Sequence, residues 1–113
     1  MTEKESINFS DFERIDMRAG TIIKAEIFGK ARKPAYKLWI DFGDLGIKKT
    51  SAQITRLYEP AGLVGKQVIA VVNFQPKQIA DFMSECLVLG VVNGKEVSLL
   101  TPDIPVKNGL KVG

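Results

Sequence analysis

Apolar and polar side chains alternate along this chain in short runs, a period of two that suits a strand buried on one face and does not suit a helix. In residues 17–28, Met17, Ala19, Thr21, Ile23, Ala25 and Ile27 alternate with Arg18, Gly20, Ile22, Lys24, Glu26 and Phe28. This predicts a long first strand, with Gly20 marking a bend in it. Tyr36, Leu38, Ile40 and Phe42 alternate with Lys37, Trp39 and Asp41, and Gly43-Asp44-Leu45-Gly46 then turns the chain so that residues 47–53 return as a third strand. Residues 67–74 read as a central strand. Residues 84–92 read as another, closed by Asn93-Gly94, a pair that tolerates positive φ in a two-residue hairpin, before residues 96–100. Helices are few. Ser10-Asp11-Phe12-Glu13 has capping-box spacing and predicts a brief helix to about Ile15. Pro60 and Gly62, within residues 54–63, suit a short helix or turn across one end of a barrel. The expected class is all-β: a five-stranded Greek-key barrel with short helices at the N-terminus and between strands 3 and 4. The pattern alone leaves OB and SH3-like barrels both open.

With 113 residues, 45% of them hydrophobic and 26% charged, the chain suits one globular domain over residues 1–113, with no repeat or linker to divide it. Its first six residues are charged and mostly acidic, unlike a secretory signal. The longest apolar runs, residues 68–72 and 86–92, fall well short of the ~20 residues of a membrane helix. A cytoplasmic protein with no membrane insertion is expected. Cys86 is the one cysteine, so no intrachain disulfide and no cysteine metal cluster can form. There is no histidine, which removes the commonest general base, the usual partner of a Ser or Cys nucleophile and the commonest zinc ligand. Asp81 and Glu85 form a carboxylate pair on paper, with no histidine or metal motif beside them. The expectation is a binding protein with no catalytic residue, no metal and no cofactor.

Formal charge is +3, unevenly spread: residues 1–16 sum to −3, residues 17–58 to +6 and residues 59–113 to zero. Lys30, Arg32, Lys33 and Lys37 read either as a phosphate clamp or as a solvated loop. Trp39 shares a face with Lys37 and Asp41, partly exposed or packed on the barrel wall. Phe82 and Met83 either plug a barrel end or form an apolar mouth for peptide.

Phe12-Glu13-Arg14-Ile15-Asp16-Met17-Arg18-Ala19-Gly20-Thr21-Ile22 resembles the opening of the tRNA-binding domain family, roughly Phe-x-Lys-Val-Asp-Leu-Arg-Val-Gly-x-Ile. Tyr36-Lys37-Leu38-Trp39-Ile40-Asp41-Phe42-Gly43 and Leu63-Val64-Gly65-Lys66-Gln67-Val68 resemble two further stretches of that family. Asn73-Phe74-Gln75-Pro76-Lys77 and Ser84-Glu85 follow in order. The resemblance runs from about Phe12 to Leu100 and implies an OB barrel. Within the family it is nearest to the stand-alone, export-associated chaperones, which this chain resembles at residues 32–43 and at Phe82-Met83-Ser84-Glu85.

Departures from the tRNA-binding members fall on one rim, where the family's cations are here Gln75, Gln78 and Ala80 and a glycine is Asp81. Fewer cations release fewer counterions, so RNA affinity should fall by orders of magnitude. The same rim keeps Phe74, Ile79, Phe82 and Met83. The resemblance and these departures together imply a chaperone for unfolded or export-competent polypeptides, with structure-specific tRNA binding as the alternative. The expected peptide groove comprises Asn73, Phe74, Pro76, Lys77, Ile79, Phe82, Met83, Ser84 and Glu85, with Pro34 and Tyr36 from the facing loop. Asn73 and Ser84 are expected to lie close together. Weak, salt-sensitive tRNA binding is expected through Lys30, Arg32, Lys33, Lys37, Lys77 and Ser84. The expected partners are a second copy of the chain, precursor polypeptides, the export machinery and, weakly, tRNA. Dimerisation is implied by the stand-alone members and by Phe9, Phe12, Ile15, Ile104, Val106 and Leu110, which a lone barrel would leave wet.

Overall fold

In the computed structural model, which describes residues 3–113, the alternating runs pair into one antiparallel five-stranded sheet. Its strands are β1 (Met17–Ile27), β2 (Tyr36–Asp41), β3 (Ile47–Ala52), β4 (Gln67–Val71) and β7 (Leu87–Val88), in the order β3-β2-β1-β4-β7. The sheet curls into a nearly closed OB-like barrel. Two small hairpins flank it: β5 (Lys77–Ile79) with β6 (Phe82–Ser84), and β8 (Gly90–Asn93) with β9 (Glu96–Leu99). Alternation in β2 works as read: Tyr36, Leu38 and Ile40 point inward and, with Phe42, Ile22, Leu63 and Val68, fill the barrel. A short helix, α2 (Pro60–Leu63), drops Leu63 into one end, with Pro60 in its first turn where an amide hydrogen has no helical partner.

Several expectations are corrected. The first helix, α1 (Phe9–Glu13), starts two residues earlier than Ser10 predicts and stops before Ile15. Asn8 is its N-cap, because the Asp11 carboxylate accepts the Asn8 N–H at 3.1 Å. Gly20 marks a close approach, not a bend: a Cβ there would sit 2.6 Å from Ile40 Cγ2 and 2.7 Å from the Phe42 ring. The irregularity of β1 lies at Ile23, where the pairing with β2 slips between Ile22 and Lys24. That bulge reverses the phase of alternation, so Ile22 points inward while Lys24 is paired with the outward Trp39. Residues 84–92 are not one strand. At Glu85 the chain binds β3, and beyond Leu89 it leaves the sheet for the β8–β9 hairpin. The two-residue loop there is Gly94-Lys95, since Asn93 pairs with Glu96 and Gly94 alone takes positive φ (61°).

The C-terminal tail lies along the start of β1. Gly109 N–H donates to Ala19 O, Ala19 N–H to Leu110 O and Val112 N–H to Met17 O, at 2.8, 3.0 and 2.9 Å. Backbone pairing holds the tail there, while the side chains of Ile104 and Leu110 stay exposed, as do those of Ile7 and Phe9 at the other terminus.

Candidate functional site

Two surfaces bring the chemistry-bearing residues together. On the outer face of the barrel, register sets Lys24, Trp39 and Lys49 side by side across β1, β2 and β3. The β6 hairpin lays Phe82 against this face. Its ring meets Trp39 edge-on at 5.8 Å and Phe28 at 5.4 Å, forming a second core with Ala35 and Ile79. Ammonium groups roof these rings. Lys24 Nζ lies 4.6 Å from the Trp39 ring, Lys49 Nζ 5.1 Å from Phe82, and Lys37 Nζ 4.9 and 5.2 Å from Phe28 and Phe82. A buried aromatic floor holds cations by their rings' negative faces and leaves their outward side free for an anion. Lys24 meets Glu26 at 3.3 Å, and Lys30 meets Asp81 at 2.8 Å. That contact pulls the Asp81 carboxyl below, and pushes the Lys30 ammonium above, the usual range. Among the described residues Lys37 and Lys49 make no ion pair.

The second surface is a groove of about 970 Å3 between the end of β3 and the chain from β7 to β8, with the 31–35 loop and the β5–β6 hairpin at its mouth. Its floor is apolar, including Ile54, Ile79, Val88, Leu89, Val92 and Val97. Its charged lining is Arg32, Lys33 and Lys77, with no carboxylate. Hydrogen bonds close the seam at one end of the groove. Glu85 N–H donates to Lys49 O (2.8 Å) while its Oε1 accepts the Lys49 N–H (2.9 Å). Ser84 Oγ accepts the Ser51 N–H (3.2 Å) and meets Thr50 Oγ1 at 3.0 Å, and Thr50 Oγ1 donates to Cys86 O at 2.6 Å. Cys86 lies beneath this seam, and burial pushes its thiol up to about 12. A smaller hollow of about 310 Å3, lined by Phe74, Gln75, Lys77, Ser84, Glu85, Cys86 and Leu87, adjoins it.

The expected peptide residues divide. Lys77, Ile79 and Ser84 line the groove, and Phe74, Lys77, Ser84 and Glu85 line the hollow. Met83, Pro34 and Pro76 are exposed but line neither. Phe82 is not a contact surface: it is 5% exposed, held in the second core. Tyr36 is buried as well, its hydroxyl donating to Tyr58 O at 2.6 Å. Asn73 does not pair with Ser84. Its Oδ1 accepts the Asp16 N–H (3.0 Å) and its Nδ2 donates to Arg14 O (2.8 Å), so its amide fastens the α1–β1 turn, whereas Ser84 fastens β3. Of the expected RNA residues, Arg32, Lys33, Lys77 and Ser84 lie in the groove that also holds the peptide candidates, Lys37 stands on the outer face, and Lys30 is tied to Asp81. Lys24 and Lys49 were outside the expected set. Only strand register could have placed them beside Trp39.

A family model described as "Putative tRNA binding domain" matches residues 17–111. The chain superposes on the structure of chaperone CsaA from Bacillus anthracis with a TM-score of 0.93 and 51% identity, covering 96% of this chain and 100% of that one. For the CsaA chaperone protein from Picrophilus torridus the TM-score is 0.90 and the identity 52%, over 96% and 100% of the two chains. It is also 38% identical to the methionine–tRNA ligase of Pyrococcus horikoshii over 97% of this chain, but spans only 15% of that enzyme.

Proposed function

The chain belongs to the tRNA-binding domain family, and on that premise we propose that it is a chaperone that binds unfolded, export-competent polypeptide in the groove beside β3, without catalysis. The observation that carries this reading is the lining of that groove, an apolar floor ringed by cations without a carboxylate. Such a surface accepts many sequences weakly and disfavours strongly basic ones. Half-identity over nearly the whole chain to proteins described as CsaA chaperones supports it. Two copies associating through the exposed Ile7, Phe9, Ile104 and Leu110 would present two grooves and favour long clients by effective concentration. A cytoplasmic location and delivery to export machinery complete the proposal. The test is light scattering of a chemically denatured client diluted with and without the protein. The wild type should suppress aggregation, and Val92→Asp, an acid placed on an exposed side chain of the groove, should suppress it less. No suppression by the wild type refutes the chaperone reading, and unchanged suppression by Val92→Asp moves the client elsewhere.

A second reading, weak tRNA binding, is favoured by the row of Lys24 and Lys49 about Trp39 with Lys37 beside it. Phosphate contacts to these three lysines would make log K fall with log salt at a slope of about −3. Lys49→Gln should reduce that slope by about one unit and weaken binding uniformly across tRNA species. An unchanged slope would take the RNA off this face.

A further inference from the structure

The groove is bounded by strand edges at which some backbone groups lack partners among the described residues. In β3 the odd residues turn their amides away from β2. Lys49 gives its N–H to the Glu85 carboxylate and accepts the Glu85 N–H on its carbonyl, and Ser51 gives its N–H to Ser84 Oγ. By the same alternation the next such residue is Gln53, which is exposed, lines the groove and makes no backbone hydrogen bond among the described residues. Across the groove, Leu89 N–H donates to Ile69 O, which places Leu87 and Leu89 in bonding register with β4 and turns the Val88 amide toward the groove. Unpaired strand edges are templates for another strand. Here they flank an apolar floor with cations above it.

We infer that the groove receives its client as an added β-strand, hydrogen-bonded through the main chain to the edge at Gln53 and to the Val88 amide. This rests on the chaperone reading and names the form and chemistry of the client. Alternate side chains of an extended segment would point down onto Ile54, Ile79 and Val97, and the others would point to solvent. Acidic residues at the segment's end would meet Arg32, Lys33 and Lys77, which no carboxylate of the lining neutralises. The selected feature is therefore an alternating apolar pattern with an acidic flank. Segments of that pattern are the ones that would pair with each other if left free, which ties the mode of binding to suppression of aggregation.

The experiment is fluorescence anisotropy with a labelled peptide of alternating valine and serine led by glutamates, and with the same peptide N-methylated at every second residue. Methylation leaves the side chains but deletes the amide donors. The methyls delete the peptide N–H groups that face one edge and would donate to its carbonyl, so loss of one or two main-chain bonds should weaken binding by about fivefold or more. Gln53→Pro, which removes the edge donor, should weaken the unmethylated peptide several-fold, and Gln53→Ala, which keeps the amide, should weaken it less. Equal binding of both peptides overturns strand addition. So does a Gln53→Pro protein that binds normally, or one that converts a dimer to a monomer in light scattering, because the edge would then be occupied by a second copy. The two readings separate cleanly. Suppression of client aggregation with indifference to methylation sinks strand addition alone, and methylation-sensitive binding without suppression sinks the chaperone reading alone.

Discussion

Replacing Phe82 by alanine tests whether this ring holds the barrel's outer face together or merely decorates a binding site. The side chain is 5% exposed and sits edge-on to Phe28 and Trp39, beneath the ammonium groups of Lys37 and Lys49. Removing a buried Phe costs about 3–5 kcal/mol. The two aromatic contacts account for about 0.5–1.5 kcal/mol each within that, and the two cation contacts, at a partly solvated face, for about 0.5–1 each. We take about 3 kcal/mol, since the cluster lies outside the barrel and can partly collapse. At about 2.1 cal/mol/K per residue for 113 residues, that lowers the melting temperature by about 13 °C. Urea denaturation followed by Trp39 fluorescence would report both the global loss and the altered surroundings of the indole. A loss under about 1 kcal/mol with unchanged tRNA and client binding would refute the reasoning. It follows that Phe82→Ser is a poor probe of peptide binding, because it attacks the floor. Val92→Asp, on an exposed side chain that lines the groove and lies outside the Phe82 cluster, is the cleaner variant.

Gly20→Ala would drive a methyl into Ile40 and Phe42, both fully buried, and should cost about 1–3 kcal/mol, visible as a lower urea midpoint with unchanged slope. No loss would mean that β1 and β2 shift apart freely. Burial raises the Cys86 thiol from its ordinary value near 9.0 to about 12, so the native thiol should resist a disulfide reagent at pH 8 until the protein unfolds. The sign of the linkage follows: stability from the neutral thiol is complete below pH 9 and is lost as pH climbs from about 9 towards 12, a decline that Cys86→Ala should lessen. Prompt labelling of the native thiol at pH 8 would count against this burial.

What the sequence determined by itself is the local part. The period-two runs dictate strands, and in β2 they name the inward side chains Tyr36, Leu38 and Ile40, because alternation needs no knowledge of partners. The absence of histidine removes the commonest general base, and a single cysteine rules out an intrachain disulfide. The motifs around Asp16 and Lys66 mark the family, although they do not disclose what their residues do. Asn73 looks like a ligand-binding amide until the α1–β1 turn is seen to take both its hydrogen bonds. Partners distant in sequence decided the rest. The bulge at Ile23 turns Lys24 to the outer face, strand register sets it and Lys49 about Trp39, and the β5–β6 hairpin folds Phe82 onto Trp39 and away from solvent. The seam from Lys49 to Cys86 leaves the Gln53 edge open, a consequence of where two strands part. Each of these depends on pairing across many residues of chain, and side-chain order along one strand carries no record of that register.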